Sequence, residues 1–125
     1  MLVKLTEYEE QLLNGWEDVY KRGQLTLWIL LALYDGPKYM AIIKEYIVSQ
    51  SSNTLTADNQ SMYRALRRYH ETDIVTFENQ PVSNAPDRKI YKLTPTGKHL
   101  LEEFVKRNVC PLLGLPIIRE IKDRK

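Results

Sequence analysis

The sequence predicts a mostly helical α+β fold in which four helices precede two short strands and a long final helix. Apolar residues recur at helical intervals through most of the chain, and two β-branched and aromatic runs, IVTFENQ and RKIYKL, interrupt that pattern. Glycines and prolines fall between these segments. A chain of 125 residues that is 43% hydrophobic has the ordinary size and composition of one compact domain with its own core.

The first two predicted helices differ in character. Thr6 and Glu9 have capping-box spacing, and apolar residues then recur at helical intervals from about Glu7 to Lys21. After a break at Gly23, the segment QLTLWILLALY is apolar nearly all round, which is typical of a helix buried against several neighbours. We therefore expect an additional N-terminal helix, followed by the central helix of the core.

The third and fourth helices flank a polar connector. The turn residues of DGP precede a third helix that ends near Gln50, and Asp58 or Thr56 can cap the fourth. The apolar positions of the fourth helix turn inward at Met62 and Leu66, and at Tyr69 one turn later. This leaves a basic, hydrogen-bonding outer surface formed by Gln60, Ser61, Arg64, Arg67 and Arg68.

The second half of the chain begins with the two strand runs. The segment PVSNAPD between them contains two prolines and an asparagine, which suit a long, exposed hairpin loop. Thr94 then caps a final helix that has Pro95 at its first position and an apolar stripe reaching Val109. Pro111 and Pro116 should end or kink this helix.

These elements give a predicted organisation within one structural domain. An N-terminal helix occupies residues 1–22, a core of helices and hairpin occupies 23–94, and a C-terminal dimerisation helix with its tail occupies 95–125. Three helices, the third of them basic on its outside, followed by a two-stranded hairpin, predict a winged helix-turn-helix. In that fold the basic helix enters the major groove of DNA and the hairpin, or wing, grips the flanking backbone.

Charge supports this prediction through its distribution. A net charge of +2 is too weak to indicate nucleic acid by itself, because affinity for DNA comes from local clusters of Lys and Arg. Acidic residues crowd the first twenty positions, whereas residues 59–70 contain three arginines and no acid.

Three segments resemble the PadR family of transcriptional regulators: RGQLTLWILLALYDGPKY, SMYRALRRYHETDIV and DRKIYKLTPTGKHLLEEF. The resemblance runs from about Lys21 to Phe104, and its most specific piece is YKLT with Gly97 three positions on. It implies a DNA-binding repressor that dimerises through its terminal helices and is often released from DNA by a small hydrophobic or phenolic compound. Two departures stand out, since the family's usual Gly-Tyr pair is Met40-Ala41 and its glycine after the recognition helix is Asp73.

The candidate DNA contacts lie on the fourth helix and on the wing. Guanidinium donors match both guanine edges and phosphates, and Tyr63 resembles the family tyrosine that reaches the DNA backbone. The alternatives are a solvated basic face for the helix and a charged strand edge that keeps the wing soluble. The candidates are Gln60, Ser61, Tyr63, Arg64, Arg67 and Arg68 on the helix, with Arg88 and Lys89 on the wing.

Other side chains were weighed for ligand or metal binding. Trp16 and Trp28 are candidates for contact with a hydrophobic effector, and the alternative is a core or dimer contact. His99 has no neighbour at metal-ligand spacing, so we expect neither a metal nor a cofactor. Cys110 is the lone cysteine and is expected to be a small buried hydrophobe.

The sequence favours a homodimeric regulator of double-stranded DNA over two other classes. It contains no phosphate-cradling glycine loop, GxSxG or HExxH motif, so an enzyme is not expected. It has no apolar run of about eighteen residues and no signal-peptide layout, so we expect a cytoplasmic location and no membrane contact. The substitutions at Met40-Ala41 and Asp73 leave open an alternative: a protein-interaction or ligand-sequestering module that no longer reads DNA.

Overall fold

The computed structural model describes residues 4–124 and confirms the mostly helical fold with a small antiparallel sheet. The strands are β1 (Lys38–Tyr39), β2 (Val75–Val82) and β3 (Ala85–Leu93). The helices are α1 (Glu7–Lys21), α2 (Gln24–Tyr34), α3 (Met40–Gln50), α4 (Asn59–Glu71), α5 (Pro95–Phe104), α6 (Cys110–Leu113) and α7 (Pro116–Asp123). No helix within residues 4–124 combines the length and apolar character needed to cross a bilayer.

Helix α1 begins at the predicted capping box. The Glu9 backbone N–H donates to Thr6 Oγ1 at 3.1 Å, and the Thr6 backbone N–H donates to Glu9 Oε1 at 2.8 Å. The bond from the Thr6 N–H to the Glu9 carboxylate holds the pKa of Glu9 below its ordinary value. The helix gives way to α2 at Gly23, which has a φ of 96° that glycine adopts without strain. Helix α1 buries none of its side chains.

The core lies between α2, α3, α4 and the sheet. Helix α2 is its centre, as predicted, because Ile29 and Ala32 are completely buried and pack against the neighbouring elements. Full burial of one aliphatic side chain stabilises a fold by about 1.5–3 kcal/mol. The largest side chains that are fully buried are Ile29, Ile43, Ile47, Met62, Leu66 and Val75. This packing fixes the rotation of α4 and therefore decides which of its residues face outward.

The sheet contains a strand that the sequence did not reveal. Strand β1 pairs antiparallel with β3, with Tyr39 opposite Ile90, so the strand order is β1-β3-β2. The prediction of a long loop over residues 81–87 was wrong, because the strands continue and only Ser83 and Asn84 separate them. Asn84 has a φ of 60°, a conformation that asparagine tolerates in tight turns.

A junction around Thr94 joins α4, the wing and α5. The Thr94 hydroxyl donates to the Asp73 carbonyl at 2.7 Å and accepts from the Gly97 N–H at 2.9 Å. Asp73 has a φ of 62°, so the substitution of the family's glycine keeps the left-handed turn that ends α4. A Cβ at Gly97 would collide with the Ile74 carbonyl, which explains why only glycine fits there.

The C-terminal segment is interrupted, as the prolines predicted. Helix α5 passes into a π-helical turn at Val105–Val109, and α6 and α7 are separated at Gly114 and Leu115. Cys110 is exposed, so the expectation of a buried cysteine was wrong. The residue lies in a segment that buries no side chain against this chain's own core.

Candidate nucleic-acid interface

The outward face of α4 is set by its buried face. Each residue turns a helix by 100°, so Gln60, Arg64 and Arg67 lie roughly opposite the buried Met62 and Leu66. All three are exposed, and neither arginine forms an ion pair with another residue in the described range 4–124. The structure therefore presents these three side chains together along one line, as the periodicity predicted.

The two flanks of α4 carry the remaining helix candidates. Tyr63 is 51% exposed on the side that faces the wing, while Arg68 lies on the opposite flank with Ser61. The Ser61 N–H and hydroxyl both donate to the Asp58 carboxylate at 2.8 Å, so Asp58 is the helix cap. These bonds lower the pKa of Asp58. Ser61 is thereby engaged in holding the start of the helix.

The wing candidates are held by aromatic rings. The Arg88 guanidinium lies 4.5 Å from the centre of the Tyr39 ring, and the Lys89 ammonium lies 4.5 Å from the centre of the Phe77 ring. Successive residues of a strand point to opposite faces, so the two cations leave β3 in different directions. Exposed cation–π contacts are worth about 0.5–1 kcal/mol each, enough to bias the orientation of a long side chain.

A cleft of about 750 Å³ separates the wing from α3 and α4. Its lining residues include Lys44, Arg88, Lys89 and one acid, Asp87, and of these Lys89 also lines a second cleft beside Phe77. The Lys44 ammonium donates to Asn59 Oδ1 at 3.2 Å and so bridges α3 to the start of α4. The remaining lining residues are Tyr39, Met40, Ala41, Asn59, Tyr63 and Tyr91.

A second, smaller cleft joins the helix candidates to the wing. Tyr63, Arg67 and Lys89 share a concavity of about 220 Å³ between α4 and the sheet. Three of the residues predicted from the sequence are thus brought together, although Lys89 is far from Tyr63 and Arg67 along the chain. Sequence reasoning missed Lys44 and Asn59, because a single lysine on a largely apolar helix and an asparagine at a helix start carry no distinctive pattern.

The two tryptophans, which the sequence offers as contacts for an effector, share no pocket within the described residues. Trp16 is 73% exposed on α1, and Trp28 lines a separate cavity of about 320 Å³ of which Trp16 is not part. An apolar groove of about 280 Å³ lies instead between α2 and α5 and includes Tyr69 of α4. The Tyr69 hydroxyl donates to the Thr26 carbonyl at 3.2 Å, and burial raises the pKa of Tyr69.

Known proteins resemble this chain in sequence and in fold. Residues 29–103 match the Transcriptional regulator PadR-like family. An uncharacterised protein of Lysinibacillus sphaericus is 27% identical over 85 residues, which cover 68% of this chain and 78% of that protein.

Two solved structures share the fold. A PadR-like transcription factor from Bacteroides fragilis superposes with a TM-score of 0.65 at 24% identity, covering 86% of this chain and 98% of that one. Bacillus subtilis PadR, solved in complex with operator DNA, superposes with a TM-score of 0.60 at 24% identity, covering 68% of this chain and 48% of that one. At this identity the likeness shows the winged-helix fold.

Proposed function

This chain belongs to the PadR-like family of transcriptional regulators, and on that premise we propose that it binds double-stranded DNA sequence-specifically through α4 and the wing. The observation that carries the proposal is the exposed line of Gln60, Arg64 and Arg67, in which neither arginine forms a salt bridge within the described residues. The solved complex of Bacillus subtilis PadR with operator DNA supports the same ligand.

The positions of the side chains suit some of them to base contacts and others to phosphate contacts. Arginine donates in bidentate fashion to guanine O6 and N7, and glutamine pairs in the same way with adenine. We therefore assign base reading to Gln60, Arg64 and Arg67 in the major groove. Tyr63 and Lys89 flank that line on the wing side and are suited to phosphate contacts, which fix the register without reading sequence.

The terminal helices support a homodimer. Leu12 and Trp16 are 46% and 73% exposed on α1, and Leu113 and Ile121 are 62% exposed near the other end of the chain. Large exposed apolar surfaces mark interaction sites. Helix α1 contains five acidic residues and one lysine, whereas residues 95–124 contain six Lys and Arg against four acids. A second copy therefore offers each apolar segment a partner of opposite charge.

Twofold symmetry gives the dimer its mode of action. Two copies of α4 would enter successive major grooves about 34 Å apart on a palindromic operator. A dimer bound there excludes the transcription machinery from the same stretch of duplex, so we expect repression. The expected location is the cytoplasm, where such a duplex is found. The groove between α2 and α5 is apolar and touches Tyr69 of α4, which suits a small hydrophobic or phenolic effector that alters the separation of the two helices.

The test is duplex binding by Arg67→Ala and Arg64→Ala at several salt concentrations, with operators selected from a random duplex pool. Each variant should weaken binding and lower the slope of log affinity against log salt or relax specificity at one base pair. Arg22→Ala, in the turn between α1 and α2, is the matched control and should bind as the unaltered protein does. Unchanged affinity in both helix variants would reject the interface and favour a module that no longer reads DNA.

A further inference from the structure

A cavity of about 320 Å³ lies where the end of α1 and the start of α2 meet the loop that follows α3. The residues that line it within the described part of the chain come from neither α4 nor the wing, so the proposed DNA interface does not account for it. Its volume is near the lower end of the range found for small-molecule sites. The cavity can therefore accept a small ligand of one or two fused rings.

Two aromatic rings form part of the cavity wall. Trp28 of α2 packs against the hydrophobic core and also lines the cavity, so its ring is held in place before a ligand binds. Tyr20, near the end of α1, is 65% exposed and lines the same cavity. Aromatic rings offer flat apolar faces on which a planar ligand stacks. This wall therefore favours a planar aromatic ligand.

Two glutamine side chains give the cavity its hydrogen-bonding character. Gln24 begins α2 and Gln50 ends α3, and both line the cavity. A glutamine amide has two donors and an acceptor, and it pairs with the edge of an adenine ring through two hydrogen bonds. Among the described lining residues Lys21 is the one charged side chain, and its ammonium lies 3.2 Å from the Glu17 carboxylate. The chemistry suits a neutral ring with donors and acceptors on its edge.

The loop that lines the cavity is held in a defined conformation. Ser52 and Asn53 have φ values of 54° and 64°, in the left-handed region that residues other than glycine rarely occupy. The Leu55 N–H donates to the Ser51 hydroxyl oxygen at 3.1 Å, and the Thr54 hydroxyl donates to the Ser51 carbonyl at 2.7 Å. These bonds hold the loop without using either glutamine amide. Backbone strain of this kind clusters at ligand sites.

We propose that this cavity binds a purine base. The fused rings stack on Trp28 and Tyr20, and the polar edge of the base pairs with the amides of Gln24 and Gln50. A ligand of the same shape with fewer polar atoms, such as indole, leaves these amides unmatched. The inference does not depend on the proposed function, because the cavity and the outward face of α4 have no residue in common.

Calorimetric titration of the full chain with adenine tests the proposal. One adenine should bind per chain, and indole should bind more weakly by roughly tenfold or more. Gln24→Leu and Gln50→Leu should each weaken adenine binding by roughly tenfold and leave the binding of indole unaltered. Gln11→Leu, the same substitution at an exposed position of α1 outside the cavity, is the matched control. Circular dichroism checks that every variant is folded.

Tryptophan fluorescence locates the bound base. The chain has two tryptophans, so Trp16→Phe leaves Trp28 as the reporter. Adenine should change the emission of this variant with the midpoint that calorimetry gives. Adenine that does not bind saturably, or that binds without changing the emission of Trp28, would overturn the inference. Indole that binds as tightly as adenine, or glutamine variants that both keep full affinity for adenine, would overturn it as well.

Discussion

Helix α4 and helix α1 are both amphipathic, yet the apolar face of α4 is buried and that of α1 is exposed. Helix α4 buries Met62 and Leu66 to 0% and 1% exposure and presents arginines to solvent. Helix α1 buries no side chain, and Trp16 remains 73% exposed. The apolar face of α4 is therefore covered within one chain, whereas the apolar face of α1 has no covering partner within the described residues. In the proposed function, this difference suits α4 to ligand recognition and α1 to self-association.

Substitution of Gly97, which packs α5 against the base of the wing, should have the largest effect on stability. Gly97→Ala places a methyl group onto the Ile74 carbonyl and should destabilise the fold by roughly 3 kcal/mol, a large share of a typical domain's stability. Urea unfolding measures this change. Gly15→Ala on α1 is the control, because a Cβ there meets nothing within 4 Å, and it should leave stability equal or slightly higher. Equal effects of the two substitutions would show that the junction at Gly97 is packed no more tightly than the exposed helix α1.

The role of α1 is tested by moving one carboxylate around the helix. Leu12→Glu places a charge on the exposed apolar face, and Asn14→Glu places the same charge two residues on, on the polar face. Burying an unpaired carboxylate at an interface is costly, so Leu12→Glu should weaken the dimer by roughly a hundredfold. Light scattering over a dilution series measures the shift. An unaltered dimer in Leu12→Glu would show that α1 does not form the interface.

Thr94 tests whether the junction beneath α4 depends on one hydroxyl. The group caps α5 and also bonds the carbonyl of Asp73, so Thr94→Ala should cost about 1–2 kcal/mol of unfolding free energy. Thr94→Ser keeps the hydroxyl and should recover most of that loss. Chemical denaturation separates the two variants. Serine and alanine variants of equal stability would show that the hydroxyl does not stabilise this junction.

The smallest expected effect is that of Asp58 on the free energy of unfolding at acid pH. Bonds from Ser61 lower the pKa of Asp58 in the folded protein, so the stabilisation that they provide is present above the unfolded pKa and is lost as pH falls through the folded one. Asp58→Asn keeps an accepting cap without that titration. Between about pH 5 and about pH 2 the variant should therefore lose less stability than the unaltered protein. Parallel acid denaturation curves for the two proteins would contradict this.

The outward basic face of α4 was predictable because it depends on the periodicity of one helix. Spacings of three and four residues place Met62 and Leu66 inside, and Arg64 and Arg67 must then lie outside. The same reasoning predicted helical spacing for Trp16, but periodicity gives only the side on which an apolar residue lies. Whether this chain or a second copy covers that side depends on tertiary packing, which the pattern does not encode.

The wing was harder to predict because proline in a hairpin occurs both in loops and at β-bulges. Pro81 and Pro86 favoured a loop, yet they fall where the pairing of β2 with β3 shifts between Gln80 and Val82. A bulge leaves backbone groups outside the ladder, so proline costs little there. Strand β1 was missed for a related reason, since two residues are too few to show alternation. The cleft that contains Lys44 follows from β1 and the wing together, and it could not be predicted without them.

Amide hydrogen exchange with and without a selected operator duplex tests whether α4 and the wing bind DNA. We expect added protection over residues 59–71 and 87–91, with none added over α1 when the protein is studied at dimer concentrations. Protection confined to α1, or none at all in the presence of duplex, would contradict the assignment of α4 and the wing as the surface that binds DNA.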